Sequence, residues 1–277
     1  MEIMDIIKEA FVFPSEDIGK LAIYIVLTIV VGGLAVGGAI STIFSFIDSG
    51  AYAIVGVILF ILALILGFII SGYQIAIIKS GIDKSEAPEY EWKKNLIDGV
   101  YCLIISIVYF IIPAIIVLIV GFITNVPGNL QAVLQEAVVN SVNATATANT
   151  TLPAVSTVSD ALIGNLAVSI AITALVALIL FIIFAFIQTM AQSRLANTGS
   201  LGDALNIPEA FKDIGRIGWG KVIAVILLVI IITVVINGII GFITNYISAI
   251  GIVSIIVTPY LIFFAYRAVG LLYSDIA

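Results

Sequence analysis

The chain of 277 residues is 62% hydrophobic and only 10% charged, with a net charge of −6 and a mean hydropathy of +1.28. A water-solvated surface needs about 25% charged residues, so a soluble globular domain is excluded. Without a long basic run, a nucleic-acid partner is excluded too. The sequence has no histidine and one cysteine, Cys102. That removes Ser-His-Asp and Cys-His catalysis, zincin motifs and imidazole ligation, and it forbids an internal disulfide.

Met1 to Ala10 carries Glu2, Asp5, Lys8 and Glu9 and lacks a basic leader, so it is not a cleavable signal. Ile3, Met4, Ile6, Ile7, Ala10 and Phe11 recur at helical spacing. They predict an amphipathic helix over 1–13, lying in the membrane interface and ending near Phe13-Pro14. Six apolar runs follow, at about 20–47, 52–78, 100–124, 165–190, 221–244 and 251–273, and each meets the ~20 residues that span hydrocarbon. The expected architecture is an all-α integral membrane protein with six transmembrane helices in a single domain, 1–277. Pro113 and Pro259 mark kinks within spans. Asp98-Gly99 suits a cap for the third span, with Tyr90, Trp92 and Tyr101 as an interface aromatic belt. Gly33-xxx-Gly37 and Gly67-xxx-Ser71 permit close helix packing, which is expected within the monomer rather than at a dimer face.

The basic residues test this layout independently. Lys8 and Lys20 precede the first span; Lys79, Lys84, Lys93 and Lys94 lie in the 79–99 loop; Arg194, Lys212, Arg216 and Lys221 lie in or beside the 191–220 loop; Arg267 ends the sixth span. All eleven fall on one side, and the alternate loops 48–51, 125–164 and 245–250 contain none. The positive-inside rule then makes both termini cytoplasmic, N-in/C-in, and the protein a multi-pass resident of the cell (plasma) membrane.

Amphipathic segments at 3–11, 90–97 and 204–217 precede the odd-numbered spans. Glu9-Ala10-Phe11 with Asp17-Ile18-Gly19-Lys20 is echoed by Glu209-Ala210-Phe211 with Asp213-Ile214-Gly215-Arg216. Three repeated units, each an interfacial helix plus a hairpin, are expected from this. In the external loop, Leu130, Val133, Leu134, Ala137 and Val138 predict a short helix within 129–142, and Asn143 to Thr157 lacks apolar period and reads as flexible. Two acceptor tripeptides begin there, at Asn143 and Asn149, and are candidate glycosylation sites.

Intramembrane ionisable residues are the default functional flag. The one charge inside an apolar run is Arg267, which can snorkel to headgroups or pair with Asp98, Asp17 or Asp275; the sharper reading is a ligand-binding arginine. Asn237, with Gln74 and Gln188 nearer the inner ends, suits interhelical hydrogen bonds or, at Asn237, a solute path. These residues and Asp98 form the candidate polar site. The sequence supplies no catalytic, cofactor-binding or metal-binding motif, so neither an enzyme nor a cofactor is expected.

Phe11-Val12-Phe13-Pro14 with Asp17, Gly72-Tyr73, Pro88 and Trp92, Asp98-Gly99, Tyr109 and Pro113, Pro259-Tyr260, Arg267 and Tyr273 together resemble an archaeal family of multi-pass membrane proteins. That family is frequent in methanogens and is catalogued as a domain of unknown function. The resemblance covers most of the chain apart from the outer loop. It departs after Gly72-Tyr73, where a basic residue is expected and Gln74 stands, with Lys79 the first lysine thereafter. The resemblance implies residence in an archaeal inner membrane and no catalytic activity. A fainter likeness, in architecture alone, is to the membrane domains attached to glycerophosphodiesterases. Two function classes remain: a transporter or binder of a small uncharged or lipidic solute, and a scaffold or accessory subunit docking partners through its charged loops. The partners expected are membrane lipids and either a second membrane protein or further copies of the chain.

Overall fold

The computed structural model describes residues 1–47, 50–147, 158–247 and 251–277, and only the backbone of 143–147. In chain order the helices are α1 (Ile3–Glu16), α2 (Ile18–Phe44), α3 (Ala51–Ile82), α4 (Trp92–Ile123), α5 (Val126–Thr147), α6 (Asp160–Thr198), α7 (Leu201–Ala204), α8 (Ile207–Ile217), α9 (Trp219–Tyr246) and α10 (Gly251–Tyr273). No strand occurs among the described residues. Six helices, α2, α3, α4, α6, α9 and α10, are long and apolar enough to cross a membrane. The chain is that of a multi-pass membrane protein.

The spans outrun the hydropathy at their charged ends. α3 continues to Ile82, α4 begins at Trp92 and α6 reaches Thr198. Apolarity stops where Lys79, Lys93, Lys94, Gln192 and Arg194 enter, but the i to i−4 backbone ladder is indifferent to what the side chains face. Two expectations change as a result. The segment 90–97 is largely the opening of α4 rather than a separate interfacial helix, and Asp98 lies about two turns inside α4 rather than capping it. The carboxylate that does cap a span is Asp17, which accepts the Lys20 backbone N–H at 3.0 Å at the start of α2. Lys20 is also its main cause of titration: that hydrogen bond holds the Asp17 carboxyl below its ordinary value.

α1 also departs from expectation. It runs through Pro14 to Glu16 rather than ending near Phe13-Pro14, and it packs along another helix. The Met1 carbonyl accepts from Lys221 at 2.6 Å, and Lys221 also pairs with Asp275. Glu9 meets Arg267. Phe11 packs edge-on against Tyr260 and Phe264, and the Tyr260 hydroxyl donates to the Phe11 carbonyl at 2.6 Å. As α1 positions rise from 1 to 11, their partners fall from 275 to 260. α1 therefore lies antiparallel along about 20 Å of the α10 end, at 1.5 Å per residue. The reason is its apolar stripe: Ile6, Ile7, Ala10, Phe13 and Pro14 are buried.

The chain divides into two compact units, Met1–Ser106 with Ile187–Ala277, and Ile107–Phe186. In the first, burial concentrates where the basic residues are. The buried positions of α3 run mostly from Ile69 to Ile82 and those of α10 from Pro259 to Tyr273, whereas Ile54, Leu62, Ile252 and Ile256 are exposed. Lipid tails are as apolar as leucine, so such exposure carries no penalty, and helices associate through close backbone packing instead. A Cβ at Gly72 would meet the Asn95 carbonyl oxygen at 1.7 Å, one at Gly99 the Phe68 carbonyl at 1.9 Å, and one at Gly270 the Ile78 carbonyl at 2.1 Å. These fix the α3–α4 and α3–α10 crossings. At Gly33 and Gly67 such an atom would meet nothing within 4 Å, whereas at Gly37 it would meet Leu59 of α3 at 3.4 Å, so the first small-residue motif faces α3 through Gly37 alone.

The connection from α3 to α4 is a strap tied down by aromatics. Tyr73 stacks on Tyr90 at 3.9 Å and 3°; the Tyr73 hydroxyl donates to the Pro88 carbonyl at 2.9 Å and Tyr90 to the Lys20 carbonyl at 3.0 Å. Lys20 reaches the Ala87 carbonyl at 2.6 Å and Glu89 at 2.9 Å. Burial raises the Tyr90 phenol pKa and keeps it protonated. Tyr90 is thus a packing residue rather than part of a headgroup belt, while Trp92 remains half exposed.

In the second unit Asn125, with φ 59°, turns the chain from α4 into α5. Asn129 donates to the Asn165 carbonyl at 3.3 Å and to Ser169 at 3.2 Å, and the Thr124 and Thr173 hydroxyls are 2.9 Å apart. α5 extends the helix expected within 129–142 at both ends, reaching Thr147, so Asn143 is on helical backbone. Asn149 and most of the stretch expected to be flexible lie outside the described residues.

Candidate functional site

Where α3, α6, α9 and α10 meet, within the first unit, their side chains leave a cavity of about 170 Å³. Ile78, Val225 and Val229 form its buried wall, and Ile230, an exposed residue, stands at its edge. Three residues with neutral polar side chains are among its lining: Thr189, Gln192 and Tyr266. Thr189 and Gln192 are three residues apart on one face of α6, and Tyr266 precedes Arg267 on α10. No charged side chain lines it.

The size is informative. An apolar cavity of about 150 Å³ admits a benzene ring, whereas drug-sized ligands need roughly 300 Å³ or more. This cavity fits a small uncharged molecule or the end of a lipid tail, with a hydroxyl or carboxamide to orient one polar atom. It does not fit a phosphate headgroup or a nucleotide.

Arg267, on the same helix, is engaged elsewhere. Its guanidinium donates to Glu9 at 2.9 Å, to the Ser80 hydroxyl at 3.1 Å and to the Ser85 carbonyl at 2.7 Å. It lies 4.4 Å from the Phe13 ring centroid, and only its Nε lacks a partner. The carboxylates considered for it from sequence are occupied or distant: Asp17 pairs with Lys20 and Asp275 with Lys221. Glu9 holds the position because α1 lies along α10.

The remaining sequence candidates are dispersed. Gln74 donates to the Tyr24 hydroxyl at 2.8 Å, joining α3 to α2, and Gln188 to the Ser106 hydroxyl at 2.8 Å, joining α6 to α4. Asn237 is exposed on α9 and donates to the Thr233 carbonyl of its own helix at 2.9 Å. Asp98 is half-buried on α4. The cavity residues escaped the sequence reading because Gln192 was assigned to a loop, and because a tyrosine beside an arginine reads as an interface pair.

A second polar centre gathers on α8. Asp213, almost wholly buried, accepts from Arg194 at 2.8 Å, Arg216 at 2.8 Å and Tyr273 at 3.0 Å, so it ties α8 to the ends of α6 and α10. Glu209 pairs with Lys212 and Arg216. Among the described residues no cluster of histidine, cysteine or carboxylates has the makings of a metal site.

Compared with known families, residues 55–245 match the profile described as "Protein of unknown function (DUF4013)". The chain belongs to this family. The comparisons with curated proteins and with solved structures found no match. The DUF4013 match takes in α4 to α8 whole and most of α3 and α9. It includes every cavity residue except those of α10, and it leaves α1, α2, Arg267 and Tyr266 outside.

Proposed function

We propose that this DUF4013 protein is a membrane-embedded binder of a small uncharged or lipidic solute, entering the α3–α6–α9–α10 cavity from the bilayer, and that it is not an enzyme. The observation that supports this is the lining: apolar walls, three neutral hydrogen-bonding groups, no charge, and an edge at exposed Ile230. The same features speak against ion-coupled carriage, which needs buried carboxylates, and Arg267 is sealed by its partners. The proposed setting, from the resemblance, is an archaeal plasma membrane; the one-sided lysines and arginines support both termini being cytoplasmic under the positive-inside rule. The repeat belongs to this proposal for its first and third units, since no separate helix precedes α4: Ala10 and Ala210 are both fully buried while Phe11 and Phe211 are both exposed.

Native mass spectrometry of the gently extracted protein tests the reading, alongside Val229→Trp, which fills the cavity. A defined small ligand retained by the natural chain and lost from the variant is the expected result. Equal retention by both would overturn the assignment. A stable complex with another membrane protein and no ligand would move the function to the scaffold class.

A further inference from the structure

A second apolar recess lies between α1 and α9, further along α9 than the cavity and independent of the reading just given. It is a groove of about 590 Å³, walled by Ile7, Phe11 and Val12 on α1 and by Ile232, Val235 and Ile236 on α9. Lys8 is the charged residue in its lining. Among the described residues Lys8 makes no ion pair, although its neighbour Glu9 is taken by Arg267. We propose that this groove seats one hydrocarbon chain of an acidic phospholipid whose phosphate pairs with Lys8.

Two observations set the depth and the charge. At the N-terminal end of α9, Trp219 and Phe211 form an exposed edge-on pair, with ring centroids 5.2 Å apart. Exposed aromatics of this kind sit at the headgroup level. Met1 touches Lys221, two residues along α9 from Trp219, and Lys8 lies about 10 Å further along α1 at 1.5 Å per residue. A lysine stem bends along apolar surface to bring its ammonium up toward that level. The groove below it then receives a chain hanging from the same headgroup. In the groove's lining Lys8 stands among the apolar Ile7, Phe11 and Val12, and exposed Asp5 one turn earlier lies outside that lining. An ammonium without an ion pair at this place favours a lipid carrying net negative charge over a zwitterionic one.

The test is native mass spectrometry of the full-length protein in detergent, titrated with phosphatidylglycerol or phosphatidylcholine. The natural chain should retain one phosphatidylglycerol about fivefold better than phosphatidylcholine, the ratio expected for one lysine near an anionic surface. Lys8→Gln, a surface change that leaves the fold intact, should bring the ratio close to one. Val235→Trp, or Ile236→Phe should the first not fold, should remove the retained lipid whichever headgroup it carries. An unchanged preference in Lys8→Gln, no preference in the natural chain, or full retention by the groove-filled variants would each overturn the proposal.

Discussion

Arg267 keeps 5% of its side-chain surface and Glu9 keeps 36%, so the two halves of this ion pair are not equally expensive to lose. Removing the carboxylate strands a buried guanidinium, an effect of about 3–5 kcal/mol; removing the guanidinium leaves a carboxylate that water already reaches. Glu9→Leu is therefore expected to lower the melting temperature in detergent more than Arg267→Met, with the double variant milder than the sum of the two. An order reversed in that experiment would mean the arginine acts chiefly through Ser80, Ser85 and Phe13. The glycines make a second contrast. Gly72→Ala forces backbone apart at the Asn95 carbonyl and should destabilise by about 1–3 kcal/mol or more. Gly67→Ala meets nothing within 4 Å and should be neutral or stabilising by up to about 1 kcal/mol. Thermal unfolding of the two variants side by side separates them.

Among the elements, α8 carries a titratable network within itself, Glu209 with Lys212 and Arg216. The Lys212 hydrogen bond, with Arg216 beside it, holds the Glu209 carboxyl below its ordinary value of 4.5. A carboxyl depressed in the folded state stabilises it above that ordinary value and ceases to do so as pH falls through the lower folded value. Trp219 reports on α8 through its contact with Phe211. In a Trp92→Phe background its fluorescence should stay constant from pH 8 to about 5 and change only below 4.5; a transition near neutrality would implicate some other group. The elements also show what the sequence discloses. Six spans are legible because hydrophobicity over ~20 residues leaves no alternative, and the lysines and arginines gather at one end of the first unit as their loops require. The helix ends were hidden because charge marks where lipid stops, not where helix stops. The course of α1 was hidden because an amphipathic stripe reads the same whether it faces headgroups or the side of another helix. For the site, Gln74, Gln188 and Arg267 are recognisable as buried polar residues, but their partners are tertiary facts, and the cavity arises from four helices that no local pattern brings together.

In the whole molecule, α1 packs within the first unit against residues far from it in sequence. Glu9 and Arg267 are separated by 258 positions, and Phe11 and Tyr260 by 249. At roughly 5–20 residues per second of synthesis, the first helix waits about 13–50 seconds for the helix it packs on. Throughout that interval the stripe of Ile6, Ile7 and Ala10 lacks α10, while Phe13 already has Leu21, Tyr24, Tyr73 and Ile77 in its cluster. Chains stalled on the ribosome before Gly251 should leave a protease site placed near Lys8 open to cleavage, and full-length chains should close it. Protection in the stalled chains would show that α2 and α9 suffice to hold α1. α1 is thus seated only after α10, whose contacting residues come 249 and 258 positions later, has been added.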